Sequence, residues 1–236
     1  MTQDHTQPAP LAAYTFADDD ILRELTAEQR VRLEPRISVA SYASGHIFYA
    51  PEESHDRLYI VRSGRVRIYK LSPEGRALTL LILEPSSIFG EMAINADWVH
   101  DSFAETMTDC TIASIRRDDL RRVLSSNPAM TQRFRTIMGR RLRALEHRLA
   151  DIAFKSVPQR LATVLINLAQ PPATPNDTPV VLRYTHQQLA EMIGSYRETV
   201  TKAIGEFREA GLIRVDDDVI YLTDITRLRE LMAGRS

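Results

Sequence analysis

The stretch THQQLAEMIGSYRETVTKAIGEF (185–207) constrains this chain more than any other. It reads as two short helices joined by a turn. Leu189, Ala190 and Ile193 fall on one face of the first, and Val200, Ile204 and Phe207, spaced by four and three, on one face of the second. Gly194 lies between them, where a tight turn between helices favours positive φ. Ser195 is placed to cap the second helix, with Glu198 three residues on to complete a capping box. The outward side of that helix carries Tyr196, Arg197, Glu198, Thr199, Thr201 and Lys202. Arginine reads guanine through O6 and N7, and glutamate accepts from the cytosine amino group. Lys202, one turn further on, suits a phosphate or a second guanine. The bland alternative is a helical hairpin with solvated charges, and the next segment weighs against it. GLIRVDDDVIYL (211–222) reads as a β-hairpin: Leu212, Ile213 and Val215, an acidic turn, then Val219, Ile220 and Tyr221. A helix-turn-helix followed at once by such a wing is more specific than either part alone.

Upstream, DDDILRELTAEQRVRLE (18–34) predicts two short helices, the second capped by Thr26. From about residue 36 the apolar period falls to two. Ile37 and Val39, Ile47 and Phe48, Leu58 to Val61, Val66 to Tyr69, Leu78 to Leu83 and Thr106 to Ile115 predict short strands, with a hairpin tip at SPEGR (72–76). Many short, evenly spaced strands predict a β-sandwich, roll or barrel over residues 36–116. A short helix then ends near Asn127, because Pro128 disfavours helix in the residue before it, and Pro128 suits the first turn of a longer helix. Along that helix Met138, Leu142, Leu145, Leu149 and Ile152 recur at 4, 3, 4, 3, an a/d seam flanked by Arg140, Arg141, Arg143 and Arg148. Arginine stems can cover such a seam while their heads stay in solvent. The seam pairs either with a second copy or with the helix's own domain. PQRLATVLINLAQ (158–170) predicts an amphipathic helix starting at Pro158, and QPPATPNDTPV (170–180) a proline-rich loop.

The charge pattern supports a nucleic-acid partner only locally. The net charge of −1 hides −7 over residues 1–115, +7 over residues 116–148, −1 over residues 149–154 and zero over residues 155–236. An arginine-rich segment sets the local potential whatever the total. No apolar run approaches the roughly 20 residues of a membrane span. The N-terminus has neither a basic n-region nor a long apolar h-region, and the single Cys110 rules out an intramolecular disulfide. These features predict a cytoplasmic protein with a free N-terminal tail.

Together, LYIVRSGRVRIY (58–69), EGR (74–76), IFGEMAI (88–94), RRLRALEHRLADIAF (140–154) and GSYRETVTKAIGEFREAGLI (194–213) make the chain resemble the cyclic-AMP receptor protein/FNR superfamily of bacterial transcription regulators over roughly residues 20–228. The resemblance implies an α+β chain: an N-terminal β-roll of the cyclic-nucleotide-binding jelly-roll kind, a long dimerisation helix and a C-terminal winged helix-turn-helix. The boundaries read as a tail (1–17), a β-roll sensor (18–127), a dimerisation helix (128–154) and a DNA-binding domain (155–236). The expected partners are a second copy, a palindromic operator with a TGTGA-like half-site, and RNA polymerase. Carried over by position, Arg197, Glu198 and Lys202 look like the base-reading trio. Ser195, Thr199, Thr185 and Gln187 look like backbone contacts. Lys202 stands where arginine is frequent, which relaxes preference at its base pair.

The sensor departs from the family pattern. Gly90-Glu91 opens the phosphate cassette, but the arginine that should close it falls at Asp101, before Ser102. A carboxylate repels the phosphate that a guanidinium would neutralise. The helix hydroxyls that hold adenine are replaced by Leu145 and Glu146. Gly90, Glu91, Met92, Ser102 and Arg141 are the candidate effector residues. Three readings remain open: no effector, a small acid such as 2-oxoglutarate held by Arg141, or cyclic AMP in a variant pocket. One cysteine cannot ligate an iron–sulfur cluster. His46, His55 and His100 read as surface or turn residues rather than haem or metal ligands. A cupin-type enzyme would need clustered histidines, yet residues 36–116 hold no HxH pair, and no nucleophile elbow or phosphate loop occurs. No metal and no catalytic residue are expected.

Overall fold

The computed structural model describes residues 15–17, 20–94, 99–170, 178–182, 184–217 and 219–234. The described chain divides between Leu142 and Arg143 into two compact units. The division falls inside one continuous helix rather than at its ends.

The first unit is the β-roll. Its strands are β1 (Thr15–Phe16), β2 (Ser38–Tyr42), β3 (Ile47–Tyr49), β4 (Arg57–Ser63), β5 (Val66–Leu71), β6 (Ala77–Leu83), β7 (Ile88–Phe89), β8 (Phe103–Thr106) and β9 (Cys110–Arg116). They form a five-stranded sheet ordered β1-β6-β5-β8-β3 and a four-stranded sheet ordered β2-β9-β4-β7. Residues 15–17 correct the expected tail boundary. β1 runs parallel to β6 with Phe16 opposite Leu83, and Phe16 is buried, so the apolar ring recruits the end of the tail into the sheet. Residues 1–14 lie outside the described residues, as do Trp98 and the proline-rich 171–177. The single late strand predicted over 106–115 is two strands, broken at residues 107–109, where the Thr108 hydroxyl accepts from the Arg65 amide.

Helical pieces close the roll. A 3-10 turn spans Ile21–Glu24, and α1 (Ala27–Leu33) opens on a Thr26–Gln29 capping box. α2 (Arg117–Ser126) ends before Asn127, whose side chain accepts from the Met130 amide and so caps the next helix. That helix, α3 (Pro128–Phe154), matches the predicted span. Met130 and Ile137 enter a core with Leu58, Ile60, Ile88, Ile115 and Leu120, against which Met138 also packs. Met138 therefore belongs in part to the intrachain core rather than to an open seam.

The second unit contains α3 from Arg143, then α4 (Val157–Leu168), β10 (Val180–Leu182), α5 (His186–Ile193), α6 (Arg197–Glu209), β11 (Arg214–Asp216), β12 (Val219–Tyr221) and α7 (Ile225–Met232). α4 starts one residue earlier than predicted, because Ser156 and Gln159 form a capping box. β10 emerges from the end of the proline-rich segment and makes the wing three-stranded, in the order β10-β12-β11. Leu161, Leu165, Leu189, Ile193, Val200, Ile204, Phe207, Ile213 and Leu228 form the buried interior.

Candidate DNA interface and effector site

α5 and α6 build the helix-turn-helix from local rules. The Thr185 hydroxyl accepts from the Gln188 amide at 3.1 Å, and the Gln188 carboxamide accepts from the Thr185 amide at 2.9 Å. Gly194 is left-handed (φ 63°, ψ 45°), and its N–H closes on the Ala190 carbonyl. The Ser195 N–H reaches the same carbonyl at 3.0 Å. This corrects the expected cap. The chain leaves the turn one residue later, Tyr196 is the N-cap of α6, and no side chain caps it. Glu198 is thus the second residue of the helix, out of register for a capping box with Ser195.

Val200, Ala203, Ile204 and Phe207 are buried. Tyr196, Arg197, Glu198, Thr199, Thr201 and Lys202 are all exposed on the other side, and Ser195 is half-buried at the turn. Gln187 is exposed on α5, where its carboxamide donates to Glu191 at 2.9 Å. Among the described residues Lys202 makes only a long 3.9 Å pair with Glu206 across an open face, so its ammonium stays available to another anion. His186, which the sequence did not single out, links the two helices through a 2.9 Å contact between Nδ1 and Thr201 Oγ1. α6 ends in a Schellman motif: Gly211 has φ 70°, its N–H meets the Arg208 carbonyl, and the Leu212 N–H meets the Phe207 carbonyl at 2.9 Å. Val215 and Val181 both register against Ile220, which seats the wing.

α3 presents two kinds of position. Leu142, Leu149, Ile152 and Phe154 are exposed, with Phe154 at 86 %. Leu145 is half-buried. Arg141 and Arg148 are buried rather than solvated, which corrects the expected seam-covering role of these two arginines. Each guanidinium donates to a backbone carbonyl instead, Arg141 to Ile88 and Arg148 to Met192.

The effector candidates converge in part. Gly90 holds φ +77°, and a Cβ there would lie 2.7 Å from the Arg57 carbonyl oxygen, so only glycine fits. It turns the chain from β7 into the 3-10 turn Glu91–Ile94, where Glu91 pairs with Arg141 at 3.4 Å. Met92 is half-buried on this turn. Ser102 is half-buried beside β8, while Asp101 points outward and pairs with Lys70 at 2.5 Å.

Two further groups join the cluster. Tyr49 is buried, and burial first, then the Glu91 charge, hold its pKa well above the usual tyrosine value, with Arg141 and the Gly90 backbone opposing. His100 is only 3 % exposed, against the expectation of a surface or turn residue, and its ring stacks on Tyr49 at 3.6 Å and 11°. Burial holds its pKa below the usual histidine value, with Glu91 opposing. Arg117 ties the edges together by donating to the carbonyls of Ala93 and His55. Nothing in the local sequence pattern marked Tyr49 or Arg117, or showed that His100 is buried, because these contacts come from pairings across the roll. Among the described residues no three His, Cys, Asp or Glu side chains are grouped to hold a metal ion.

The comparisons agree with this geometry. Residues 39–127 match the cyclic nucleotide-binding domain, and residues 159–231 the Crp-like helix-turn-helix domain. The chain is 36 % identical over 200 residues to the "CRP-like cAMP-activated global transcriptional regulator" of Mycobacterium tuberculosis, covering 83 % of this chain and 88 % of that one. It is 32 % identical to the transcriptional regulator SdrP of Thermus thermophilus, covering 83 % of this chain and 94 % of that one. A solved CRP/FNR-family regulator from Thermus thermophilus superimposes with a TM-score of 0.70 at 30 % identity, covering 84 % of this chain and all of the other. With a β-roll, a long helix and a winged reader in this order, the chain belongs to the CRP/FNR superfamily of transcription regulators, not to an enzyme family.

Proposed function

We propose that the protein acts as a homodimer on a palindromic, TGTGA-like operator, with Arg197, Glu198 and Lys202 reading bases and Ser195, Thr199, Thr185 and Gln187 contacting the backbone. The observation that carries this is the division of α6: its apolar side chains are buried and every candidate reader is exposed. The exposed Leu142, Leu149 and Ile152 supply an apolar stripe for a second copy, and two-fold symmetry then demands a two-fold operator. RNA polymerase is the proposed further partner, and the cytoplasm the proposed place of action. Among the described residues no helix is long and apolar enough to cross a membrane. Fluorescence anisotropy on a TGTGA palindrome and on a scrambled duplex tests the reading; equal affinity for both sinks it.

The β-roll is proposed to answer to its effector in an atypical way. Asp101, paired outward to Lys70, cannot serve as the cassette's cation. Retention of Gly90, Glu91 and Arg141 in one cluster favours a variant pocket for a cyclic nucleotide over no effector at all. The Mycobacterium tuberculosis relative, named as cAMP-activated, points the same way.

A further inference from the structure

We propose that His100 is a ligand-contacting residue of the Glu91–Arg141 site, and that a singly charged cyclic phosphate enters that site together with one proton, taken up on the His100 imidazole. This deepens the effector reading given above and rests on it.

The first observation is an unmet need. The Nε2 atom of His100 is buried and has no hydrogen-bond partner among the described residues, and a buried polar atom left so costs free energy that a ligand oxygen would recover. The second is placement. The imidazole lies flat on Tyr49, with ring centroids 3.6 Å apart, and of the charges around it Glu91 acts on it most strongly. Backbone bonds hold the histidine on both sides, from the Glu52 N–H to the His100 carbonyl at 2.8 Å and from the His100 N–H to the Glu53 carbonyl at 3.0 Å. The third is charge. Arg141 is committed to Glu91 and to the Ile88 carbonyl, and Asp101, next in the chain, is turned outward to Lys70. A phosphate arriving here needs a further cation, and protonation of Nε2 supplies both a charge and an N–H.

The groups facing His100 fix the direction of the linkage. Glu91, on the 91–94 turn, and Glu53, on the loop after β3, favour the imidazolium. His55, on that same loop, opposes it, burial opposes it more strongly, and Tyr49 lies against the ring. In the empty site burial prevails, so the ring is neutral at neutral pH. A bound phosphate reverses the balance. The proton comes from solvent on binding and returns to it on release. Affinity is therefore highest on the acid side. It weakens by up to about tenfold for each pH unit between the empty-site and bound-site pKa values.

The test is calorimetric titration of the full chain with cyclic AMP between about pH 6 and 8, in buffers of different protonation enthalpy. The wild type is expected to take up close to one proton per nucleotide bound and to lose affinity as pH rises. His100→Gln should bind more weakly with no pH slope, and His100→Arg should hold its affinity across the range with no proton uptake. Proton-neutral binding by the wild type, a slope that survives His100→Gln, or no cyclic AMP binding at any of these pH values would each overturn the proposal. Circular dichroism checks that the variants fold; if the buried arginine is not tolerated, the glutamine variant decides. Operator binding is measured on the same samples. If the operator is bound but the nucleotide result fails, His100 loses its role and the DNA reading stands. If the wild type binds no operator with or without cyclic AMP, the functional reading itself fails.

Discussion

Arg148, on α3, donates from a buried guanidinium to the carbonyl of Met192 in the last turn of α5. A charged donor thereby satisfies one of the carbonyls that a helix leaves open at its C-terminus, and it ties the first helix of the DNA reader to α3. Arg148→Ala should destabilise the protein by about 2 kcal/mol, the magnitude of a lost charge-assisted bond with a carbonyl left unpaired. Denaturant unfolding measures it. Arg148→Lys should recover little, because an ammonium lacks the planar fork. An unchanged midpoint in the alanine variant would remove Arg148 from this role.

Arg197 stands exposed at the first position of α6. Arg197→Ala should weaken operator binding by about 1–3 kcal/mol and relax selectivity at one base pair in each half-site. Competition anisotropy with duplexes substituted at single positions reads both effects. Wild-type affinity and selectivity in this variant would show that α6 does not read bases through Arg197.

Leu142 and Leu149 are 59 % and 69 % exposed on α3. Leu142→Glu places a charge in the proposed dimer stripe without opening a cavity in the fold. The expected result is a monomeric mass by light scattering with helical content retained; an intact dimer would locate the subunit contact elsewhere.

Gly90 combines φ +77° with a space too small for a methyl group. Gly90→Ala should cost about 2 kcal/mol, combining left-handed strain with displacement of the Arg57 carbonyl. Thermal unfolding tests this. Gly75, also at positive φ (+79°) but with nothing near its would-be Cβ, is the control. The Gly75→Ala loss should be the smaller of the two.

His100 also sets a pH dependence without any ligand. Its folded pKa lies below the usual 6.5, so between those two values the unfolded chain binds more protons than the folded one. Stability therefore rises with pH through that window, and falls as acid charges the buried ring. Melting temperatures should decline below pH 6.5 in the wild type and decline less in His100→Gln. Identical acid profiles would mean that the ring titrates as freely folded as unfolded.

The parts legible in the sequence were those governed by local rules. The period of Val200, Ile204 and Phe207, the cap at Thr26, the left-handed Gly194 and the Pro128 start of α3 all follow from nearest-neighbour chemistry, and the structure has each of them. The illegible parts depend on contacts distant in sequence. Phe16 joins the roll only because Leu83 is there to pair with, and β10 needs β12. Arg141 and Arg148 look like surface charges on a helical wheel until the Ile88 and Met192 carbonyls are placed beside them. The misplaced N-cap of α6 is a subtler failure. Ser195 has the right chemistry, but the Gly194 turn spends its N–H on Ala190 and delays the helix by one residue.

The division of labour on α6 has a consequence for how such a protein changes over time. Val200, Ala203, Ile204 and Phe207 carry its packing, while Arg197, Glu198, Thr199 and Lys202 stand clear of the interior. Substitutions at the exposed positions leave the stability of the fold nearly untouched. With these side chains reading the operator as proposed, target choice drifts one side chain at a time, and a duplicated copy acquires a new set of promoters without passing through an unfolded ancestor.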